Sequence, residues 1–163
     1  MNVTMNEDGT IQLSDFNELQ SYKIARKLEK DGMDFYNTLL ASSSEESVNS
    51  ALKFLLESEK EHYDYFEKRI EELQAEKGDG FEEEDITDFV DTDIFTPQEI
   101  EQKKNIDFSN ASSAILYGLI VEAKSIAFYT ALQKNTTDDK GRSALEDIIE
   151  EEKKHLEHIR EFA

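Results

Sequence analysis

Two short stretches of the sequence decide the fold: residues 59–62, Glu-Lys-Glu-His, and residues 152–155, Glu-Lys-Lys-His. Residues three positions apart on a helix share one face, so the Glu and the His of each stretch point the same way. Around both stretches apolar residues recur at steps of three and four, which predicts a helix with one buried stripe. The predicted stripes are Leu52, Leu55, Glu59, His62, Phe66 and Ile70 on one helix, and Leu145, Ile148, Glu152, His155, Ile159 and Phe162 on the other.

Both stretches belong to a repeat that covers the two halves of the chain. The second follows the first by 93 positions, and the same offset pairs Glu29 with Glu122 (122 minus 29) without a gap. It also pairs residues 35–36, Phe-Tyr, with residues 128–129, Phe-Tyr. A repeated helix pair usually packs about a pseudo-two-fold axis. Because polar residues are repeated as well as apolar ones, the repeat points to a shared site and not to packing alone.

Two further helices complete a bundle. Apolar residues recur at helical spacing over residues 15–40 and over residues 110–133, where Leu116 and Tyr117 lie on the predicted stripe. The second helix is expected to run to about Ala75, and the last one to follow a polar loop over residues 135–141.

Polar residues mark the expected starts of the first two helices. Asp15 followed by Glu18, and Ser43 followed by Glu46, have the spacing of a capping box. Short loops within each pair make helices one and two antiparallel, and likewise helices three and four.

Residues 77–108 have a different composition from the helices. Residues 77–80 break the second helix, an acidic run covers residues 82–85, and Pro97 favours a short helix over residues 97–104. A connection of this length is unusual in a compact domain. We therefore predict an all-α, antiparallel four-helix bundle, formed by residues 1–163 as a single domain, with one long crossover at 77–108.

The composition excludes several classes of function. The formal net charge is -20, which disfavours nucleic acid and anionic membranes as partners. The absence of Cys removes disulfides, cysteine-ligated metal centres and thiol nucleophiles. No apolar run is expected to approach the roughly 20 residues of a membrane span, and the polar start is unlike a signal peptide. These features predict a cytoplasmic protein.

The repeated Glu and His side chains predict a metal site. Carboxylates and imidazoles directed into one core are costly to bury unpaired, and their repulsion would raise carboxyl pKa values or unfold the bundle. Two divalent ions about 3.5–4 Å apart remove both penalties. Oxygen and nitrogen donors without sulfur suit iron or manganese, and zinc less specifically. The predicted ligands are Glu29, Glu59, His62, Glu122, Glu152 and His155.

Other polar residues close to these ligands have less specific interpretations. Glu57 and Glu150 are also paired by the repeat, but they fall off the stripes and are expected on the surface. His158 is expected at the surface or at the rim of the site.

Two tyrosines, Tyr36 and Tyr129, follow Glu29 and Glu122 by two helical turns. One interpretation is that they are core residues whose hydroxyls bond a carboxylate ligand. The alternative is that they act catalytically as one-electron donors close to the metals. The sequence leaves both open.

The motifs of all four predicted helices also carry a family resemblance. They are residues 28–36 (Leu-Glu-x5-Phe-Tyr) and 121–129 (Val-Glu-x5-Phe-Tyr), together with the two Glu-x-x-His stretches. In these motifs the chain resembles the rubrerythrin group of the ferritin-like superfamily, whose bundles use this ligand pattern. The resemblance implies a ferritin-like fold, a di-iron site, a homo-oligomer (a dimer), and redox chemistry with peroxide or oxygen.

Two departures from the family leave two functions open. Rubrerythrins carry a rubredoxin domain with a four-cysteine iron, and this sequence has no Cys, so a separate electron-donor protein is implied. They also place a further Glu three residues after the third-helix ligand, where this chain has Ser125, the repeat mate of Gly32. The ligand set favours a redox enzyme, whereas these departures favour a non-catalytic metal-binding or sensing bundle.

Overall fold

A computed structural model describes residues 2–5, 7, 11–77, 108 and 110–162, and these residues confirm the predicted all-α fold. Four long helices form a bundle, preceded by a short antiparallel hairpin. The elements are β1 Asn2–Met5, β2 Ile11–Ser14, α1 Glu18–Ser42, α2 Glu46–Lys77, α3 Ala111–Lys134 and α4 Asp139–Phe162.

The helices pack as two antiparallel pairs. α1 lies mainly against α2 and α3 mainly against α4, while α1 also contacts α4 and α2 also contacts α3. Tyr22, near the beginning of α1, meets Phe66 near the end of α2, whereas Gly32 further along α1 lies against Glu59 earlier in α2. The two helices therefore run in opposite directions.

The end of α2 and the beginning of α3 lie at opposite ends of the bundle, so the chain between them must cross its length. Tyr117, near the beginning of α3, contacts Phe35 near the end of α1, with ring centroids 5.5 Å apart. α3 therefore begins at the end of the bundle where α2 also begins, while α2 ends at the opposite end. The predicted short helix at 97–104, and the rest of residues 78–107, lie outside the described part of the chain.

The start of α1 differs from its prediction. Asn17 is the N-cap: its side chain accepts a hydrogen bond from the Gln20 N–H at 2.9 Å, and the Gln20 side chain accepts one from the Asn17 N–H at 3.1 Å. The predicted capping box of Asp15 and Glu18 is therefore wrong. Asp15 has a φ of 57° and its carboxylate accepts hydrogen bonds from the N–H and the hydroxyl of Thr137. This contact ties the beginning of α1 to the loop between α3 and α4.

The hairpin before α1 was not predicted from the sequence. β1 and β2 pair antiparallel, with Asn2 opposite Ser14. The sequence does contain a signal for it, because the short connection between the two stretches contains Gly9, which is typical of a hairpin with a longer loop.

Helix α3 is the element whose buried side was predicted least well. Leu116 was expected in the buried stripe but is 58% exposed, whereas its neighbour Ile115 is buried. α3 is apolar on nearly every side, so its pattern does not mark which side faces the core. By length and composition α3 could also cross a membrane, so the expectation that no apolar run approaches that length is wrong; core helices of soluble proteins share this property.

The stripes of α2 and α4 that carry the candidate ligands are confirmed. Their apolar members are buried, from Leu52 to Ile70 on α2 and from Leu145 to Ile159 on α4. The side chain of Phe162 lies outside the described part. The two Glu-x-x-His stretches therefore face the core.

Candidate metal centre

Each of the four helices contributes a carboxylate to one buried cluster. The exposed fractions of these Glu residues are 1–4%. His155 is also buried, and the His62 side chain retains 13% exposure. The six residues that the sequence predicted as ligands therefore lie together between the helices, at Glu29 on α1, Glu59 and His62 on α2, Glu122 on α3, and Glu152 and His155 on α4.

The contacts within the cluster follow the repeat. His62 Nδ1 lies 3.8 Å from Glu29 Oε1, and its repeat mate His155 Nδ1 lies 3.2 Å from Glu122 Oε2. His62 Nδ1 also lies 3.7 Å from Glu152 Oε2, and the two imidazole rings are 4.3 Å apart between centroids. Ligand atoms of His62, Glu152 and His155 all lie within 4.8 Å of one another, close enough to share one metal ion.

The cluster has more buried polar atoms than its own side chains can satisfy. Among the described residues, Glu29 Oε2, Glu152 Oε1, His62 Nδ1 and both ring nitrogens of His155 are buried without a hydrogen-bond partner. A buried polar atom without a partner costs roughly 1–3 kcal/mol. Because oxygen and nitrogen donors converge with unused lone pairs, the residues fit a pair of divalent cations.

Crowding of charge shifts the pKa values in the cluster. Burial, followed by the nearby Glu29 and Glu122 carboxylates, raises the pKa of Glu59 and that of Glu152 well above the ordinary value. Burial would also raise the pKa of Glu29, but a hydrogen bond from Glu59 and the two histidines hold it below the ordinary value. Burial would lower the pKa of His155, but the Glu122 carboxylate raises it. Without metal, burial and the neighbouring carboxylates therefore favour the protonated forms of Glu59 and Glu152.

Gly32 provides the space for the Glu59 carboxylate. A Cβ placed on Gly32 would lie 3.0 Å from both Cδ and Oε2 of Glu59. The repeat mate Ser125 is buried, and its hydroxyl donates to the Val121 carbonyl of its own helix at 3.3 Å. Neither position therefore adds a further carboxylate to the cluster.

A cleft between α2 and α4 leads to the two imidazoles. It is lined by His62 and His155 together with six other residues. Every lining residue is paired with another by the offset of 93, so the cleft lies on the pseudo-two-fold axis of the bundle. The four pairs are Ser58 with Glu151, Glu61 with Lys154, His62 with His155, and Tyr65 with His158.

Tyr36 and Tyr129 are buried close to the carboxylates. Burial, followed by Glu59 and Glu122, raises the pKa of Tyr36 well above the ordinary value, and burial with Glu152 does the same for Tyr129. Neither hydroxyl has a hydrogen-bond partner among the described residues, so the expected bond to a carboxylate is not formed. Both phenols therefore keep their protons next to the cluster.

The predicted surface residues lie where they were expected. Glu57 and Glu150 are exposed and pair with Lys60 and Lys153 on their own helices. His158 is exposed at the rim of the cleft.

One polar cluster beside the site was missed by sequence reasoning. The hydroxyls of Tyr22 and Tyr65 both donate to the Asp147 carboxylate. These residues come from three helices, so no spacing within one helix reveals them. Aligning the two halves does reveal an asymmetry, because Tyr65 is opposite His158.

A four-helix bundle with one crossover, and with Glu and Glu-x-x-His side chains facing its core, defines the ferritin-like class of di-metal carboxylate proteins. The rubrerythrin family model matches residues 23–163, so the chain belongs to the rubrerythrin family, a soluble ferritin-like family of di-iron proteins. Searches of curated proteins and of solved structures gave no match.

Proposed function

We propose that this chain is a cytoplasmic di-iron protein that reduces hydrogen peroxide or oxygen with electrons from a separate donor protein. The observation that supports it most is the convergence of buried carboxylates and imidazoles beneath a cleft. The donors without sulfur suit iron or manganese, and zinc less specifically. The proposed ligands are Glu29, Glu59, His62, Glu122, Glu152 and His155.

The residues of the chain would position the oxidant and donate the protons that its reduction consumes. When bound, two iron ions supply electrons and polarise the O–O bond as Lewis acids. Reduction of one hydrogen peroxide to two waters consumes two electrons and two protons. The Tyr36 and Tyr129 hydroxyls, which burial and the nearby carboxylates keep protonated, are the proposed proton donors beside the ligands. The cleft admits a small oxidant on the imidazole side.

Stopped-flow oxidation of the reduced, iron-loaded protein tests this proposal. Hydrogen peroxide should oxidise the iron within seconds and much faster than oxygen does. Ser125→Glu, which supplies the family's additional carboxylate one turn from Glu122, should change this rate because the new group competes for an open metal position. Ser112→Glu, on an exposed position of the same helix, is the matched control and should leave the rate unchanged.

The second candidate function is a metal-binding or sensing bundle without turnover. Ser125, whose hydroxyl bonds its own helix, stands where peroxide-reducing members of the family have an additional carboxylate. The loss of that carboxylate favours the non-catalytic function. The same experiment separates the two functions. If peroxide oxidises the bound iron no faster than free ferrous ion, and Ser125→Glu has no effect, the enzyme proposal is overturned.

We also propose that two copies associate through α3. Leu116 and Ile120 are 58% and 48% exposed, and three exposed alanines, Ala123, Ala127 and Ala131, continue the same helix face. No described exposed residue of α3 is acidic, although the chain carries a net charge of -20, so two such faces would meet without carboxylate repulsion.

Sedimentation equilibrium tests the dimer. The mass should be twice 18.8 kDa, and Leu116→Glu with Ile120→Glu should return it to one chain. Ser50→Glu, an exposed change on α2, should leave the dimer intact. A wild-type monomer at micromolar concentration, or a dimer that survives the double change, would contradict the assignment of this face.

A further inference from the structure

Two tyrosines share one carboxylate at one end of the cleft. The Tyr22 hydroxyl on α1 and the Tyr65 hydroxyl on α2 donate to Asp147 Oδ2 on α4, at 2.8 and 2.9 Å. Tyr65 also lines the cleft and follows His62 by one helical turn. The cluster therefore opens onto the same cleft as the candidate metal ligands.

Aromatic rings connect this cluster to the candidate centre. The Phe66 ring lies 5.4 Å from that of Tyr65 and 6.3 Å from that of Tyr22, between centroids. The same ring lies 5.8 Å from the His62 imidazole. An unbroken packed path therefore joins the tyrosines to a proposed ligand.

The repeat shows that packing alone does not require this cluster. At the other end of the cleft, the rings of His158 and Phe54 meet edge to face at 5.2 Å. These residues are the repeat mates of Tyr65 and Asp147, and the mate of Tyr22 is Ile115. The equivalent helix contact at the other end of the cleft is therefore packed without a shared carboxylate. The cluster of two tyrosines and one carboxylate is specific to one end of the cleft.

We propose that Tyr65 is a redox-active residue that supplies the second of the two electrons consumed by peroxide when the metal centre holds only one, with Asp147 as the proton acceptor. This inference rests on the proposed function, which supplies the oxidant. Tyr65 loses one electron to the centre, and its hydroxyl proton moves along the hydrogen bond to Asp147 Oδ2. A neutral tyrosyl radical remains until a one-electron donor reduces it and the proton returns from Asp147.

The surroundings distinguish the partly buried Tyr65 from the fully buried tyrosines. The Arg69 guanidinium lies over the Tyr22 ring at 5.3 Å, and a positive charge there disfavours loss of an electron. Tyr36 and Tyr129 have no hydrogen-bond acceptor among the described residues. Oxidation of either would leave a buried cation, which is costly. Tyr65 combines a proton acceptor with a position at the cleft, where an external donor can approach.

Freeze-quenched electron paramagnetic resonance tests the proposal. Iron-loaded protein that has been reduced by only one electron per site is mixed with hydrogen peroxide and no donor, and a tyrosyl radical signal is expected. Tyr65→Phe should remove most of this signal, while Tyr63→Phe, on the same helix but lining a different depression, should not. Asp147→Asn can still accept a hydrogen bond but is a far weaker base, so it should also lower the radical yield. Ring-deuterated tyrosine identifies the signal as tyrosyl.

The outcomes separate this proposal from the proposed function. Absorbance of the same samples follows iron oxidation, and circular dichroism with metal analysis checks that each variant folds and binds iron. If iron oxidation is normal but no radical forms, only the role of Tyr65 is overturned. The same holds if the radical survives Tyr65→Phe or is lost only in Tyr129→Phe. Full radical yield in Asp147→Asn overturns the proton transfer. Failure of peroxide to oxidise the iron overturns the proposed function, and the electron donation with it.

Discussion

Gly32 shows how a missing side chain shapes the candidate centre. The Glu59 carboxylate occupies the space that a Cβ on residue 32 would enter. Gly32→Ala should therefore displace this carboxylate and lower the metal content per chain. The same change should stabilise the metal-free helix by roughly 0.5–1 kcal/mol, because Gly is a poor helix former. Elemental analysis and thermal unfolding of the metal-free protein measure these two opposite effects.

Ser125→Ala is the matched control for Gly32→Ala. Residue 125 is the repeat mate of residue 32, and its hydroxyl bonds only its own helix among the described contacts. Metal content should be unchanged by this substitution. An unchanged metal content in Gly32→Ala would contradict the role given to Glu59.

The raised carboxyl pKa values predict how stability of the metal-free protein depends on pH. A carboxyl group with a higher pKa folded than unfolded contributes stability below its unfolded pKa and loses it as pH rises through the folded pKa. This sign applies to Glu59 and Glu152, and the raised pKa of His155 acts in the same direction. Urea unfolding with a chelator should show lower stability at about pH 8 than at about pH 5.

Glutamine at both positions tests the source of this pH dependence. Glu59→Gln with Glu152→Gln removes the two titrations and should reduce the slope. The lowered pKa of Glu29 changes stability only below the ordinary pKa of a Glu, and so outside this pH range. If the double variant keeps the full slope, repulsion within the net charge of -20 is the cause and not the buried cluster.

Single residues of the candidate centre were predictable where one helix supplied the pattern. Glu59 and His62 share a stripe with Leu55 and Phe66, so the spacing alone places them in the core. The contact of Tyr22 with Asp147 joins two helices and depends on how far one is shifted along its axis relative to the other. No periodicity within one helix encodes that shift.

Among the elements, the beginning of α1 gives the sharpest test of local structure. Asn17 and Gln20 satisfy each other's backbone N–H groups at the first turn. Asn17→Ala should lower the free energy of unfolding by about 1 kcal/mol, the usual cost of a lost N-cap. Asn37→Ala, at an exposed interior position of α1, should not destabilise the protein. An equal effect of the two changes would contradict the assigned cap.

The helices themselves were predicted well, and their ends less so. Long amphipathic stretches give many periodic positions, whereas a helix end depends on a single cap. Asp15 and Asn17 both have cap-forming side chains, and the choice between them depends on Thr137 in a distant loop. Strands β1 and β2, of four residues each, offer too few positions for an alternation to stand out.

In the whole molecule, the offset of 93 positions correctly predicted a pseudo-symmetric arrangement. The Glu29 and His62 contact has its counterpart in Glu122 and His155, and the cleft lies on the same axis. The open cleft on this axis was not predictable from the sequence. A repeat specifies which residues correspond to each other, but not which side of the bundle is covered.

The buried carboxylates link the fold to metal binding. Four of them from four helices repel one another in the core, and a bound cation would replace that repulsion with attraction. Metal binding that releases protons from Glu59 and Glu152 is therefore expected to stabilise the bundle.

The most direct test of the central claim is the number of metal ions bound by protein produced with iron, measured by elemental analysis. We predict two per chain, with sharp losses in Glu59→Ala and His155→Ala. Glu57→Ala, in which an exposed repeated Glu near the same stripe is removed, should retain two. Two ions per chain in all three variants would contradict the assignment of this cluster as the metal centre.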